Sequence, residues 1–94
     1  MAIKVTVRVF ATLRNYMERE TETDLPEGTK ISGLLDLLTG QHSGMGAELF
    51  DALGILKPYI NILKNGRNIA FLQDMDTALD DGDIVAIFPP VAGG

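Results

Sequence analysis

Cysteine is missing from all 94 residues, which removes disulfides, zinc–thiolate centres and a thiol nucleophile together. Such a chain is compatible with a reducing compartment, and cytoplasmic residence is the expectation. Histidine is nearly missing too. His42 stands alone, with no second histidine to share a metal and no histidine base beside Ser32 or Ser43, so it reads as a solvent-facing or lightly packed side chain. No glycine-rich loop carrying Lys and Ser/Thr occurs, which excludes ATP binding by that route. Asp80, Asp81 and Asp83 surround Gly82 but lack the spacing and closing Glu of a calcium loop; they read as turn residues. No apolar run approaches the ~18 residues of a membrane span. Met1-Ala2-Ile3-Lys4 leads straight into a strand pattern, with no secretion signal. Basic residues are few: 8 Lys and Arg against 13 Asp and Glu give a net charge of −5. That balance repels nucleic acid phosphates and suits a protein partner with a basic docking surface. By elimination the chain is not an enzyme on its own, and no metal, nucleic acid or membrane partner is expected.

What is present is period and punctuation. Residues 3–11 alternate, with Ile3, Val5, Val7, Val9 and Ala11 on one face and Lys4, Thr6, Arg8 and Phe10 on the other, which predicts a half-buried strand. Phe10 is the large aromatic on the polar face. Thr12 to Glu20 shows no period and reads as a turn. Thr21, Thr23 and Leu25 suit a short antiparallel second strand, closed by Pro26-Glu27-Gly28. Ile31, Leu34, Leu35 and Leu38 form one helical stripe, with Thr29 or Ser32 as candidate cap and Gly40 as candidate end. Ser43 to Gly46 reads as a break, and Ala47 to Leu53 as a short second helix. Tyr59 to Lys64 is a third strand; Asn65-Gly66 is a hairpin turn leading to a fourth at Arg67 to Ala70. The facing of the third strand stays open, because Lys64 falls in phase with Ile60 and Ile62. Phe71 to Ala78 is irregular, with Leu79 as a core anchor, and Ile84 to Phe88 is the last strand.

One helix covering one face of a small mixed sheet gives an α+β domain over 1–88, with a tail over 89–94. If the last strand runs parallel beside the first, Val85 and Ile87 point at the helix. Ile84, Ala86 and Phe88 then share the open face with Phe10, a candidate partner surface. The tail, Pro89-Pro90-Val91-Ala92-Gly93-Gly94, pairs a proline-stiffened stalk with two residues slim enough for a narrow slot. At average glycine usage a Gly-Gly end arises by chance in about one chain in two hundred. Extended, the stalk reaches roughly 20 Å at ~3.3 Å per residue. What it offers is the α-carboxyl of Gly94. Carboxyls of this class titrate near ~3.3–3.7, so the group is ionised and needs activation, most simply as a mixed anhydride with AMP made by another protein.

The ending Phe88-Pro89-Pro90-Val91-Ala92-Gly93-Gly94, preceded by Asp81-Gly82-Asp83-Ile84-Val85-Ala86-Ile87, resembles the small subunit of molybdopterin synthase. Val9-Phe10-Ala11-Thr12-Leu13-Arg14 and Asn65-Gly66-Arg67 are similar to the same family, over nearly the whole chain in order. The resemblance implies a ubiquitin-like β-grasp fold: a mixed sheet of four to five strands, one main helix and a short second helix. It implies a sulfur carrier, with Gly94 adenylated by an E1-like enzyme and then converted to a thiocarboxylate with a sulfur donor. The tail would next enter the large synthase subunit and pass its sulfur to a pterin precursor. Gly94 and Gly93 would carry the chemistry. Phe10 and Phe88 match the family's hydrophobic docking positions, and Pro89, Pro90, Val91 and Ala92 would line the partner's channel. No cofactor would be bound; acyl-AMP and thiocarboxylate would be transient modifications of Gly94. Gly44 to Pro58 is longer than in compact members of that family. Three other readings share these features: a protein modifier joined through Gly94 to lysines, a thiamine sulfur carrier, and an interaction domain with an idle tail. Thiamine carriers tend to be shorter and to lack the Phe-Pro-Pro lead-in.

Overall fold

The computed structural model of the chain describes residues 1–89. Its sheet contains β1 (Ala2–Val9), β2 (Glu20–Pro26), β3 (Asn61–Lys64), β4 (Arg67–Asn68) and β5 (Ile84–Phe88) in the order β2-β1-β5-β3-β4. β1 and β5 are parallel at the centre, while β1–β2, β3–β5 and β3–β4 are antiparallel. The long helix α1 (Ile31–Gln41) crosses one face, followed by the short α2 (Met45–Leu49). The apolar pattern explains this arrangement. Val5, Val7 and Val9 of β1 and Val85 and Ile87 of β5 meet Ile31, Leu34, Leu35 and Leu38 of α1, and all of these side chains are fully buried. Each such side chain gains about 1.5–3 kcal/mol over exposure, which outweighs the ~1 kcal/mol helix penalty of Gly33.

Several local expectations give way to tertiary contacts. Ala11 does not continue the β1 face: its φ of 52° turns the chain into a 3-10 helix, Ala11–Asn15. Within the supposed turn, Leu13 and Met17 are buried, a single-turn element too short to show a period. Neither Thr29 nor Ser32 caps α1. The Thr29 hydroxyl donates to Pro26 O at 2.6 Å, Lys30 occupies the cap position, and the Ile31 N–H donates to Thr77 O at 2.9 Å. Gly40 lies inside α1, which ends at Gln41. α2 starts earlier than expected because Gly44, at φ 88°, begins it, placing Met45 and Leu49 in the core one turn apart. A β-carbon at Gly44 would meet the Tyr16 ring at 2.8 Å. α2 also ends earlier, since the Asp51 carboxylate accepts from Leu53 N and Ile55 N and folds a tight loop, leaving Leu53 83% exposed. β3 begins at Asn61 rather than Tyr59. The hairpin is as expected: Asn65 and Gly66 both have positive φ, the two-residue turn that matches strand twist. β4 stops at Asn68, however, whose side chain accepts from Ala70 N at 2.9 Å and starts a 3-10 turn, Ile69–Phe71.

Lys64 pairs with Val85, which puts it on the helix side of the sheet and Leu63 on the open side. The Lys64 ammonium donates to Ala78 O at 2.8 Å and lies 3.2 Å from Asp80 Oδ2 and 3.3 Å from the buried Asp83. Asp83 also accepts from Asn65 Nδ2 at 2.9 Å and from Asp80 N at 2.8 Å. Burial alone would raise the Asp83 carboxyl. The Asp80 N–H, the Asn65 amide and the Lys64 ammonium outweigh it and hold the group below its ordinary 3.8. Burial would lower Lys64, but Asp80 and Asp83 outweigh that and hold it above 10.5. The Asp83 stabilisation is therefore complete above the ordinary carboxylate value and is lost as pH falls through the lower folded value. The Lys64 part is complete below 10.5 and is lost as pH rises past it. Asp83→Asn should cost about 2–3 kcal/mol at neutral pH, and less in strong acid. Urea midpoints across pH check this; an equal penalty at neutral and strongly acidic pH would contradict it.

Candidate functional site

The parallel register decides what surrounds the end of β5. Val9 pairs with Ile87, and the Phe10 N–H extends the ladder by donating to Ile87 O at 3.2 Å. Phe10 and Phe88 thereby emerge on the open face at the same height. Their rings stack with centroids 4.2 Å apart and planes 11° from parallel. The left-handed turn at Ala11 then carries Arg14 back over the pair. Its guanidinium carbon stands 5.2 Å above the Phe10 centroid, and its Nε donates to Val9 O at 3.0 Å. The result is a layer of Arg14, Phe10 and Phe88 in that order, with the cation over the ring face. Both rings are half-buried, and Pro89, the next residue after Phe88, is buried.

The open face divides in two. On β1 and β2 it is charged: Arg8 Nε donates to Glu20 at 2.8 Å, and Thr6 and Lys4 lie opposite Glu22 and Asp24. On β5 and β3 it is apolar, with Ala86 opposite Leu63 and Phe88 opposite Asn61. Beyond Phe88 this apolar half deepens into an open groove of about 960 Å³, walled by Tyr59, Leu63, Phe71 and Leu72 and reaching Phe88 and Pro89. Sequence reasoning found Phe10 and Phe88 but missed Tyr59, Phe71 and Arg14. In the sequence Tyr59 falls inside a strand pattern, Phe71 in an irregular stretch and Arg14 in a patternless turn. The usable signal was the scarcity of large aromatics, which makes each one outside a periodic segment informative.

Of the residues expected to act, Phe10, Phe88 and Pro89 are brought together at one end of β5. Pro90, Val91, Ala92, Gly93 and Gly94 lie outside the described residues. Among the described residues no cluster of three or more His, Cys, Asp or Glu side chains could hold a metal, and no helix is long and apolar enough to cross a membrane. His42 is partly buried at the end of α1.

Fold and surface together define a ubiquitin-like β-grasp domain that displays an aromatic pair on its uncovered sheet face. The chain belongs to the ThiS family, whose match covers residues 7–94. It is 38% identical to small archaeal modifier protein 3 of Haloferax volcanii, over 98% of this chain and 100% of that protein. It is 31% identical to the sulfur carrier protein CysO of Mycobacterium tuberculosis, over 98% of this chain and 100% of that one. More distantly, it is 28% identical to the molybdopterin synthase sulfur carrier subunit of Emericella nidulans, over 94% of each. Among solved structures, the crystal structure of small archaeal modifier protein SAMP1 from Haloferax volcanii superposes with a TM-score of 0.86 at 32% identity. It covers 97% of this chain and 99% of that one. The β-grasp fold and membership of a family of ubiquitin-like sulfur carriers stand. The narrower assignment to molybdopterin is not singled out, because modifiers and CysO are closer in sequence.

A stacked pair is worth about 0.5–1.5 kcal/mol beyond burial. A double-mutant cycle of Phe10→Ala and Phe88→Ala in thermal unfolding should return a coupling of that size; additive single effects would mean that the rings merely coincide.

Proposed function

We propose that this chain is a sulfur carrier loaded at Gly94 and that its sulfur serves molybdopterin assembly in the cytoplasm. The observation that carries the reading is the Phe10–Phe88 stack immediately before Pro89, an apolar anchor at the root of the segment that ends in Gly93-Gly94. An E1-like enzyme would bring the Gly94 carboxylate to the α-phosphorus of ATP, forming the acyl-adenylate and releasing pyrophosphate. Hydrosulfide delivered by the sulfur donor would then add to the carbonyl carbon and AMP would leave, giving the thiocarboxylate. Gly93 and Gly94 suit this step because a β-carbon beside the acyl carbon would crowd the incoming nucleophile. Val91 and Ala92, with Pro89 and Pro90 before them, would thread the large synthase subunit while the domain stays outside. There the sulfur would pass to a pterin precursor, building the dithiolene that holds molybdenum or tungsten, while the acyl C–S bond breaks and water supplies the oxygen that restores the Gly94 carboxylate.

A second reading is favoured by the 38% identity to small archaeal modifier protein 3. The same acyl-adenylate is attacked by a lysine amine, AMP leaves, and an isopeptide bond joins Gly94 to a protein. Both fates share the activation step and differ in the nucleophile.

Intact-mass measurement after incubation with ATP, the activating enzyme and a sulfur donor should show one oxygen replaced by sulfur. A gel of cell extract tests the second fate through larger conjugates, and conjugates without any thiocarboxylate would replace the first reading by the second. Gly94→Ala should fold normally yet load slowly, whereas adenylation and sulfur loading at the original rates would contradict the role given to this residue. Phe88→Ala should weaken docking to the activating enzyme by about 1–3 kcal/mol in titration.

A further inference from the structure

The sheet has two edges, and they differ. β4 is two residues long and closes at once into the 3-10 turn Ile69–Phe71, which leaves little backbone to pair. β2 runs for seven residues in unbroken register with β1, from Pro26 opposite Ala2 to Glu20 opposite Arg8. At ~3.3 Å per residue that is an edge of roughly 23 Å. Short strands, bulges and internal prolines are common ways of making an edge unfit for a further strand. β2 has none of them: no bulge interrupts its register, and its one proline stands at the last position.

The phase of the ladder decides which backbone groups are free. The Val9 N–H donates to Arg19 O at 3.1 Å, and the Glu27 N–H donates to Met1 O at 2.9 Å. Residues 19 and 27 therefore face β1, and with constant register so do Thr21, Thr23 and Leu25. Glu20, Glu22 and Asp24 turn their N–H and C=O groups outward. Pro26 falls in the same outward phase, where its missing N–H breaks no ladder bond. Among the described residues no strand pairs with this outer side. The three outward residues also hold exposed carboxylates on the open face of the sheet. Arg8 Nε lies 2.8 Å from Glu20, but Glu22 stands opposite the uncharged Thr6.

Charge selects the occupant. A second copy adding its own β2 would set carboxylate beside carboxylate, which is unfavourable across a strand pair. The chain's own tail, from Pro89 to Gly94, brings no cation and ends in a carboxyl group. An extended segment with a cation at every second position meets the row in phase. Its intervening side chains would lie beside the half-buried Thr21 and Thr23, where β-branched residues fit a pleated surface.

We propose that the outer edge of β2 receives an extended segment of a partner protein in which lysine or arginine alternates with small or β-branched residues. Backbone hydrogen bonds to Glu20, Glu22 and Asp24 supply affinity, and the carboxylates set register. The site lies apart from the reacting carboxyl, so it is independent of the fate of Gly94.

Amide hydrogen exchange of the full chain, read by NMR, tests this with a peptide as long as β2 in which lysine alternates with valine. Saturating peptide should slow exchange at Glu20, Glu22 and Asp24 about tenfold or more, and leave Thr21, Thr23 and Leu25, already bonded to β1, nearly unchanged. A peptide of the same composition with its lysines consecutive should bind about tenfold more weakly. Glu22→Lys should weaken the alternating peptide about tenfold or more, whereas Asp36→Lys, the same charge change at an exposed position of α1, should weaken it far less. Equal binding of the two peptides, no slowing at the three outward amides, or an equal loss for Asp36→Lys would overturn the site and leave the carboxylates as a guard against edge pairing. Slowing at those amides that grows with protein concentration alone would overturn it in favour of a second copy.

Discussion

Everything on the working surface follows from the parallel pairing of β1 with β5. A one-residue slip in that register would turn every side chain of β5 over, sending Phe88 into the core and Ile87 to solvent. With Val7 opposite Val85 and Val9 opposite Ile87, four valine and isoleucine side chains lock under α1 and the register is fixed by burial. The aromatic stack is the consequence on the other side of the sheet. Strands from the two ends of the chain meet at the centre, so the first and last strands deliver Phe10 and Phe88 to one place. The end of β5 is held by neighbours on both sides, which gives the following segment a stiff base.

The two ends of β5 are secured by different physics. At its start, Lys64, Asp80, Asp83 and Asn65 form a polar knot in which every buried side-chain nitrogen and oxygen has a partner. At its end there is stacking and a cation over a ring. The polar knot sets the hairpin and the approach of the preceding turn; the aromatic end is left half open. That division suits the proposed role, in which the uncovered end would meet a partner without loosening the sheet.

Much of the architecture was legible where the chain obeys a period. The alternation from Ile3 to Val9, the stripe from Ile31 to Leu38 and the Asn65-Gly66 turn predicted β1, α1 and the hairpin. Placing Ile84 to Phe88 parallel to β1 yielded the shared face of Phe10 and Phe88. What escaped lies in single turns and long-range contacts. Leu13 and Met17 sit in the core from a segment too short to show repetition. The Ile31 N–H at the start of α1 is satisfied by the carbonyl of Thr77, far along the chain, so neither Thr29 nor Ser32 is needed as a cap. Lys64 looked out of place among isoleucines because its partners Asp80 and Asp83 follow much later. Of the candidate site, the anchoring pair was readable. The groove was not, since Tyr59, Leu63 and Phe71 come from three separate segments and only the folded β3–β4 hairpin assembles them.

The central claim is that Gly94 presents a carboxyl for activation by a partner anchored at the aromatic end of β5. Isotope exchange between ATP and pyrophosphate on the purified activating enzyme tests it most directly, because exchange requires reversible formation of the acyl-adenylate. The account predicts exchange that depends on this chain and disappears when Gly93 and Gly94 are removed. Exchange of equal rate with the shortened chain, or none with the intact one, would contradict it.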